Sequence, residues 1–130
     1  MITFLKNRLL AVYSHFGTHD IRQDSFMVSA FIALVAIILG QAVLLGIYYF
    51  DFPAVIVMHS NIYFGIDLIG ERTYSVVIPS ASLVVGIIHS IGIFKLYRFD
   101  RELSRLLMGG TLAVTTLFFV NVFFVINLNT

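Results

Sequence analysis

The sequence predicts an all-α membrane protein with three transmembrane helices. Three apolar runs, Phe26 to Phe50, Tyr74 to Leu96 and Leu106 to Leu128, are each long enough to cross a bilayer, which takes roughly 20 residues at helical rise. Of the 130 residues, 59% are hydrophobic and 12% are charged, whereas soluble domains are typically about a quarter charged. Seven of the eight lysines and arginines also lie on one side of these runs.

The basic residues alternate with the apolar runs in a way that predicts orientation. Arg72 is the one basic residue in the first connection, and none follows the third run. Because cytoplasmic loops carry the excess of Lys and Arg, we expect a multi-pass cell-membrane protein with a cytoplasmic N-terminus and an extracytoplasmic C-terminus. The other seven basic residues precede the first run or surround the second connection: Lys6, Arg8, Arg22, Lys95, Arg98, Arg101 and Arg105.

Composition excludes several classes of function. The chain has no cysteine, which excludes disulfides, thiolate catalysis and sulfur-ligated metals. Its net charge of +1 gives no basis for binding nucleic acid, since the basic residues flank membrane spans rather than forming a free face. We expect residues 1–130 to form a single membrane domain, too short for a transporter core built from inverted repeats.

Residues 1–17 are predicted to form an interfacial amphipathic helix. Lys6 and Arg8 would then lie near the anionic headgroups of the cytoplasmic leaflet. The alternative is a basic tail that serves only to set the topology. The helix is predicted from apolar residues that recur at helical spacing, namely Ile2, Leu5, Leu9, Val12 and Phe16.

The first span, 26–50, has a predicted start and one polar interior residue. Asp24 or Ser25 can cap it, because the first helical N–H groups need acceptors. Gln41 is the strongly polar residue inside the span. Its amide must find partners in hydrocarbon, so we expect it to face the interior of the bundle.

The second span, 74–96, carries a stripe of small residues. Ser82, Gly86 and Ser90 recur at intervals of four and form one helical face. This spacing predicts a surface for helix packing, and dimerisation through it stays open. A short charged connection, residues 97–105, then leads into the third span, 106–128, so that the last two spans form an antiparallel helical hairpin.

His89 is the ionisable residue inside the second span. Intramembrane ionisable residues are functional candidates by default. The alternative is a neutral imidazole that binds Gln41, Thr115 or Asn121 on another helix, and depth in the membrane favours Thr115 or Thr116. A proton relay needs a second titratable group, and no further His, Asp or Glu occurs inside a span. We therefore favour the structural role.

The extracytoplasmic connection, residues 51–73, is long and apolar for a loop. Val55 to Met58 is rich in β-branched residues, and Gly65 and Gly70 supply turn positions. We expect short strands or a hairpin pressed onto the outer face of the membrane. Loops of this length are commonly functional.

The segment from His59 to Gly70 resembles a family signature. It reads H-S-N-I-Y-F-G-I-D-L-I-G and is similar to the H-Y-N-x-Y-F-G-I-D-x-x-G motif of small uncharacterised bacterial integral membrane proteins. More distantly, it is similar to the H-F-N-x-x-G-x-x-D segment of a domain found in immunity-type and regulator-type membrane proteins. Ser60 stands where the first motif has an aromatic residue. The resemblance implies a membrane protein of about three helices and implies no reaction.

Three residues of this segment are candidate binding residues. His59, Asn61 and Asp67 converge if the chain reverses near Gly65, and a metal held there would have Glu71 as a further ligand. The favoured interpretation is structural: Asn and Asp cap turns, and His59 hydrogen-bonds the loop against the helix ends. We therefore assign no metal, no cofactor and no catalytic residue.

The function expected from these features is non-catalytic. The chain would act as an assembly or accessory component in the lipid bilayer, packing against itself or another membrane protein and presenting its outer loop. One alternative is a membrane sensor or immunity-like binding protein whose loop captures a peptide, lipid or ion. Another is an enzyme or ion conductor, which would need oligomerisation to build a polar path around His89, Gln41 and Asn121.

Overall fold

Three long helices and one β-hairpin make up the described part of the fold. The computed structural model describes residues 21–61, 63 and 65–130, and at Asn61, Gly65 and Asp67 it describes the backbone alone. The helices are α1 (Ser25–Tyr48), α2 (Val77–Tyr97) and α3 (Arg101–Asn129), and all three are long and apolar enough to cross a membrane. The prediction of three helices of transmembrane length is therefore confirmed, while the predicted helix over 1–17 lies outside the described residues.

Each of two helices begins at an aspartate that caps it. Asp24 accepts a hydrogen bond from the Met27 N–H over 3.4 Å at the start of α1, as predicted. Asp100 accepts from the Leu103 N–H over 2.9 Å at the start of α3. Helix α3 therefore begins five residues before the predicted span at 106, because its first turn is polar. Hydropathy marks only the apolar part of a helix.

The predicted hairpin is present in the first connection, residues 51–73. Strands β1 (Val55–Asn61) and β2 (Gly65–Glu71) pair antiparallel, and a 3-10 turn over Arg72–Val76 then leads into α2. The register is regular from Val55 opposite Glu71 to Val57 opposite Ile69, and it shifts on either side of His59. The two strands are thus irregular near the tip and regular near the helices.

Helix α3 lies between the other two helices. It contacts both α1 and α2 extensively, whereas α1 and α2 touch each other little. Gly86 lies where α2 packs against α1: a Cβ at this position would lie 2.8 Å from Cδ1 of Ile38. Two residues of the predicted small-residue stripe, Ser82 and Gly86, are therefore buried within one chain.

Two apolar clusters close the ends of the bundle, with a polar layer between them. The layer holds Gln41, Ser82, Thr111 and Thr115, all fully buried. At the hairpin end, the cluster joins the hairpin to α1 and α3 through Leu45, Phe52, Ile56, Val122, Val125 and Ile126. At the opposite end, which we call the Asp24 end, the cluster holds Met27, Ala30, Ile93, Tyr97 and Met108.

Candidate functional site

The side chain of Asn129 anchors β1 to the last turn of α3. Its Nδ2 donates to the Val57 carbonyl over 2.8 Å, and its Oδ1 accepts from the Val57 N–H over 2.7 Å. The amide therefore pairs with Val57 as a neighbouring strand would, and it occupies that edge of β1. Nδ2 also donates to the Val125 carbonyl over 2.7 Å, which fixes the amide on its own helix.

Burial of apolar side chains completes this anchor. Ile56 is 1% exposed and Phe52 is 3% exposed, and both pack between the ends of α1 and α3. Full burial of such a side chain is worth about 1.5–3 kcal/mol when the alternative is water. The hairpin is therefore attached to the bundle through β1.

Strand β2 is the open side of the hairpin. Ile66, Leu68 and Ile69 are all more than half exposed, although each is large and apolar. Within the described part of the chain, β2 makes its main contacts with β1 and the following 3-10 turn rather than with the long helices. An apolar strand with an uncovered edge is a template for pairing with another chain.

The structure brings His59 and Asp67, two of the three candidate loop residues, to neighbouring backbone positions. His59 pairs with Leu68 and Ser60 with Ile66, so the backbone of Asp67 lies directly across from this pair of β1 residues. Asn61 pairs with Gly65 at the tip. No group of three metal-binding His, Cys, Asp or Glu residues occurs among the described residues, a set that leaves out the side chain of Asp67.

Gln41 lies at the centre of the polar layer. Its Nε2 donates to Oγ of Ser82 and to the Thr115 carbonyl, both over 3.0 Å, so one amide joins all three helices. Its Oε1 has no hydrogen-bond partner within the described residues. Gln41 therefore faces the bundle interior, where its amide holds the helices together.

His89 binds a different threonine from the one that its depth suggested. Its Nδ1 lies 2.9 Å from Oγ1 of Thr111, one turn before Thr115. Oγ1 of Thr111 also lies 2.8 Å from the Leu107 carbonyl, and a hydroxyl that donates there can accept from His89 only when Nδ1 carries a hydrogen. The expected pairing with Thr115 or Thr116 is wrong, because Thr111 is the threonine of α3 that faces α2 at this level.

Asn121 does not join Gln41 and His89, the other two polar residues of the predicted spans. Gln41 is fully buried and His89 is half-buried, whereas Asn121 is exposed on the outer surface of α3. The three side chains therefore do not line a common path inside one copy of the chain. Asn121 also makes no hydrogen bond with any side chain or carbonyl that the structure describes.

A buried carboxylate at the Asp24 end joins the three helices. Oδ2 of Asp24 accepts from the Tyr97 hydroxyl over 2.9 Å and from Nε of Arg101 and of Arg105 over 2.9 and 3.1 Å. Nη2 of Arg105 donates to the other carboxylate oxygen over 3.2 Å. Burial alone raises the pKa of Asp24, but the hydrogen bonds from Arg105, Tyr97 and Arg101 outweigh it and hold that pKa well below its usual range.

Sequence reasoning found Asp24 only as a cap and the two arginines only as topology signals. The sequence signal for this cluster was the spacing of Arg101 and Arg105, which places both guanidinium groups on one face if the helix begins before them, and the aspartate that caps another helix. Asn129 was not singled out by sequence. Its role depends on how far α3 extends beyond its apolar run.

Comparison with known proteins adds no relative. No protein-family model matches this chain, and no curated protein or solved structure matches it either.

Proposed function

We propose that this chain is a small non-catalytic integral membrane protein that acts as an assembly or accessory component and presents its outer hairpin to a partner. The observation that carries this proposal is the contrast between the two strands. Strand β1 is anchored by Asn129 and by buried Ile56, whereas β2 displays large apolar side chains. A hairpin that is anchored on one strand and leaves the other strand open and apolar suits docking by strand addition.

The proposed orientation places the hairpin outside the cell. The hairpin and the C-terminal end of α3 lie at one end of the bundle, joined by Asn129. The opposite end carries most of the basic residues, including Arg101 and Arg105, and these favour the cytoplasm. A partner of the hairpin would then be an extracytoplasmic segment of another membrane or exported protein.

A triple variant tests the docking role directly. Replacing Ile66, Leu68 and Ile69 by threonine keeps β propensity but removes the exposed apolar surface, while the anchors of β1 stay in place. We expect a stoichiometric partner to co-purify with the wild-type chain in mild detergent and to be lost from the triple variant. Phe99→Thr, at an exposed position of the opposite end, is the matched control and should retain it.

Two outcomes contradict the docking role. One is a wild-type chain that purifies without a stoichiometric partner. The other is a triple variant that keeps its partner while its thermal stability matches that of the wild type.

Ligand capture by the hairpin is the second candidate, and one observation supports it. The backbones of His59 and Asp67 lie at neighbouring positions of paired strands, and imidazole and carboxylate are both groups that bind metal ions. Substituting both residues by alanine should then remove bound metal or ligand-dependent stabilisation and leave the fold intact. Unchanged metal content would leave the structural role of these residues as the better interpretation.

A further inference from the structure

We infer that α3 is the contact surface of a parallel homodimer in which Asn121 pairs with Asn121 of a second copy. This inference rests on the proposed role as an assembly component and names one of its partners. It starts from an exposed seam along α3 whose residues recur at alternating intervals of four and three. The seam consists of Gly110, Val114, Leu117, Asn121, Phe124 and Leu128, all exposed.

The spacing of the seam is that of a helix–helix contact. Residues that alternate at intervals of four and three average 3.5 per turn, which keeps one stripe facing a partner helix along a left-handed crossing. Gly110 has no atom within 4 Å of the place its Cβ would take, so a second helix can approach closely there. The other seam residues, apart from Asn121, are apolar and large.

Asn121 distinguishes this seam from an ordinary lipid-facing stripe. It lies within the apolar part of α3, eight residues before the last residue of the helix, and its amide has no partner among the described residues. The two other polar side chains exposed on this helix within the apolar run are satisfied locally, since Thr116 donates to the Leu112 carbonyl and Asn127 to the Phe123 carbonyl. An unpaired amide in hydrocarbon is costly, so a partner that supplies both a donor and an acceptor is favoured.

A second copy of the chain supplies this donor and acceptor better than any other molecule that could cover the seam. Copies inserted with one topology are parallel in the membrane, so a two-fold axis along the membrane normal brings equal depths together. Asn121 then faces Asn121, and an amide is complementary to itself because it both donates and accepts. A single asparagine within an apolar seam also fixes the register of parallel helix pairs.

Disulfide trapping tests the contact, and the absence of native cysteine makes each single substitution unambiguous. Leu117→Cys and Phe124→Cys lie on the seam and leave Asn121 intact. Phe123→Cys is the matched control, because it is exposed on the same helix at nearly the same depth but lies about 160° around the helix from Asn121. On mild oxidation in membranes, we expect a product of twice the chain mass from the two seam variants and not from the control.

The role of the amide is tested separately. In a Phe99→Cys background, which carries the label on an exposed turn away from the seam, Asn121→Leu should weaken association roughly three- to twenty-fold, as measured by energy transfer between labelled chains in detergent, and Asn121→Gln should retain most of the association. Equal trapping at Phe123, no trapping at the seam, a trapped product containing a different protein, or association unaffected by Asn121→Leu would each overturn the inference. The β2 triple-threonine variant should still dimerise, so failure of this contact and failure of hairpin docking are separate results.

Discussion

The Tyr97 hydroxyl donates a hydrogen bond of 2.9 Å to the Asp24 carboxylate, and this contact joins the last residue of α2 to the cap of α1. The same carboxylate binds Arg101 and Arg105 in the first turns of α3. One buried anion therefore holds the Asp24 ends of all three helices together. The hairpin end is held by Asn129 and an apolar cluster instead.

Removal of the Asp24 charge should destabilise the bundle. Asp24→Asn leaves two guanidinium groups without their anion, and we expect a loss of about 1–3 kcal/mol. The expected loss of stability is smaller than for a fully buried ion pair, because the Arg101 and Arg105 side chains are 38% and 29% exposed and remain partly hydrated. Reversible unfolding in mixed micelles measures this change in the free energy of unfolding. Glu102→Gln is the control and should change stability by less than about 0.5 kcal/mol, since the Glu102 side chain is 79% exposed.

The contribution of Asp24 should depend on pH in one direction. Its pKa is lower in the folded chain than in the unfolded chain, where it is about 3.9. The stabilisation is therefore complete above about pH 5 and is lost as the pH falls through 4 and below. The difference in melting temperature between wild type and Asp24→Asn should be constant from pH 7 to 5 and shrink towards pH 3. A difference that stays constant to pH 3 would contradict this assignment.

Loss of the Asn129 amide should release β1 without unfolding the helices. Asn129→Ala removes both hydrogen bonds to Val57, and we expect the Val57 amide to exchange its hydrogen at least tenfold faster, since about 1.4 kcal/mol corresponds to a factor of ten. Asn127→Ala is the matched control, because Asn127 bonds only the Phe123 carbonyl of its own helix. Equal exchange rates in the two variants would show that apolar burial alone anchors the strand.

Bulk added at Gly86 should disrupt the contact between α2 and α1. A Cβ there would lie 2.8 Å from Cδ1 of Ile38, so Gly86→Val must displace that side chain and should cost about 1–3 kcal/mol. Gly92 lies on the same helix with no atom within 4 Å of its missing Cβ. Gly92→Val should therefore change stability by less than about 0.5 kcal/mol, and equal losses in the two variants would argue against the observed packing.

The long helices and the hairpin could be predicted from sequence because each has a local cause. Apolar runs of sufficient length predict spans, and β-branched residues between two turn signals predict strands. Helix boundaries were less accurate. The polar turn from Arg101 to Arg105 is helical because Asp100 caps it, and hydropathy does not report this.

The polar contacts between helices could not be predicted in the same way. A span that is apolar on all sides carries no periodic signal for its rotation, so a lone polar residue can face inwards, as Gln41 does, or outwards, as Asn121 does. The partner of His89 was misplaced by one turn for the same reason. The candidate binding role of His59, Asn61 and Asp67 stays a prediction, based on the reversal of the chain near Gly65.

Chemical labelling of single cysteines tests the membrane orientation most directly. Ser60→Cys lies on the exposed surface of β1, and Phe99→Cys lies on the exposed turn between α2 and α3. With a membrane-impermeant maleimide applied to intact cells, we predict labelling at position 60 and none at position 99 until the cells are lysed. Labelling at 99 in intact cells with protection at 60, or equal labelling at both positions, would contradict a bundle that crosses the membrane with its hairpin outside.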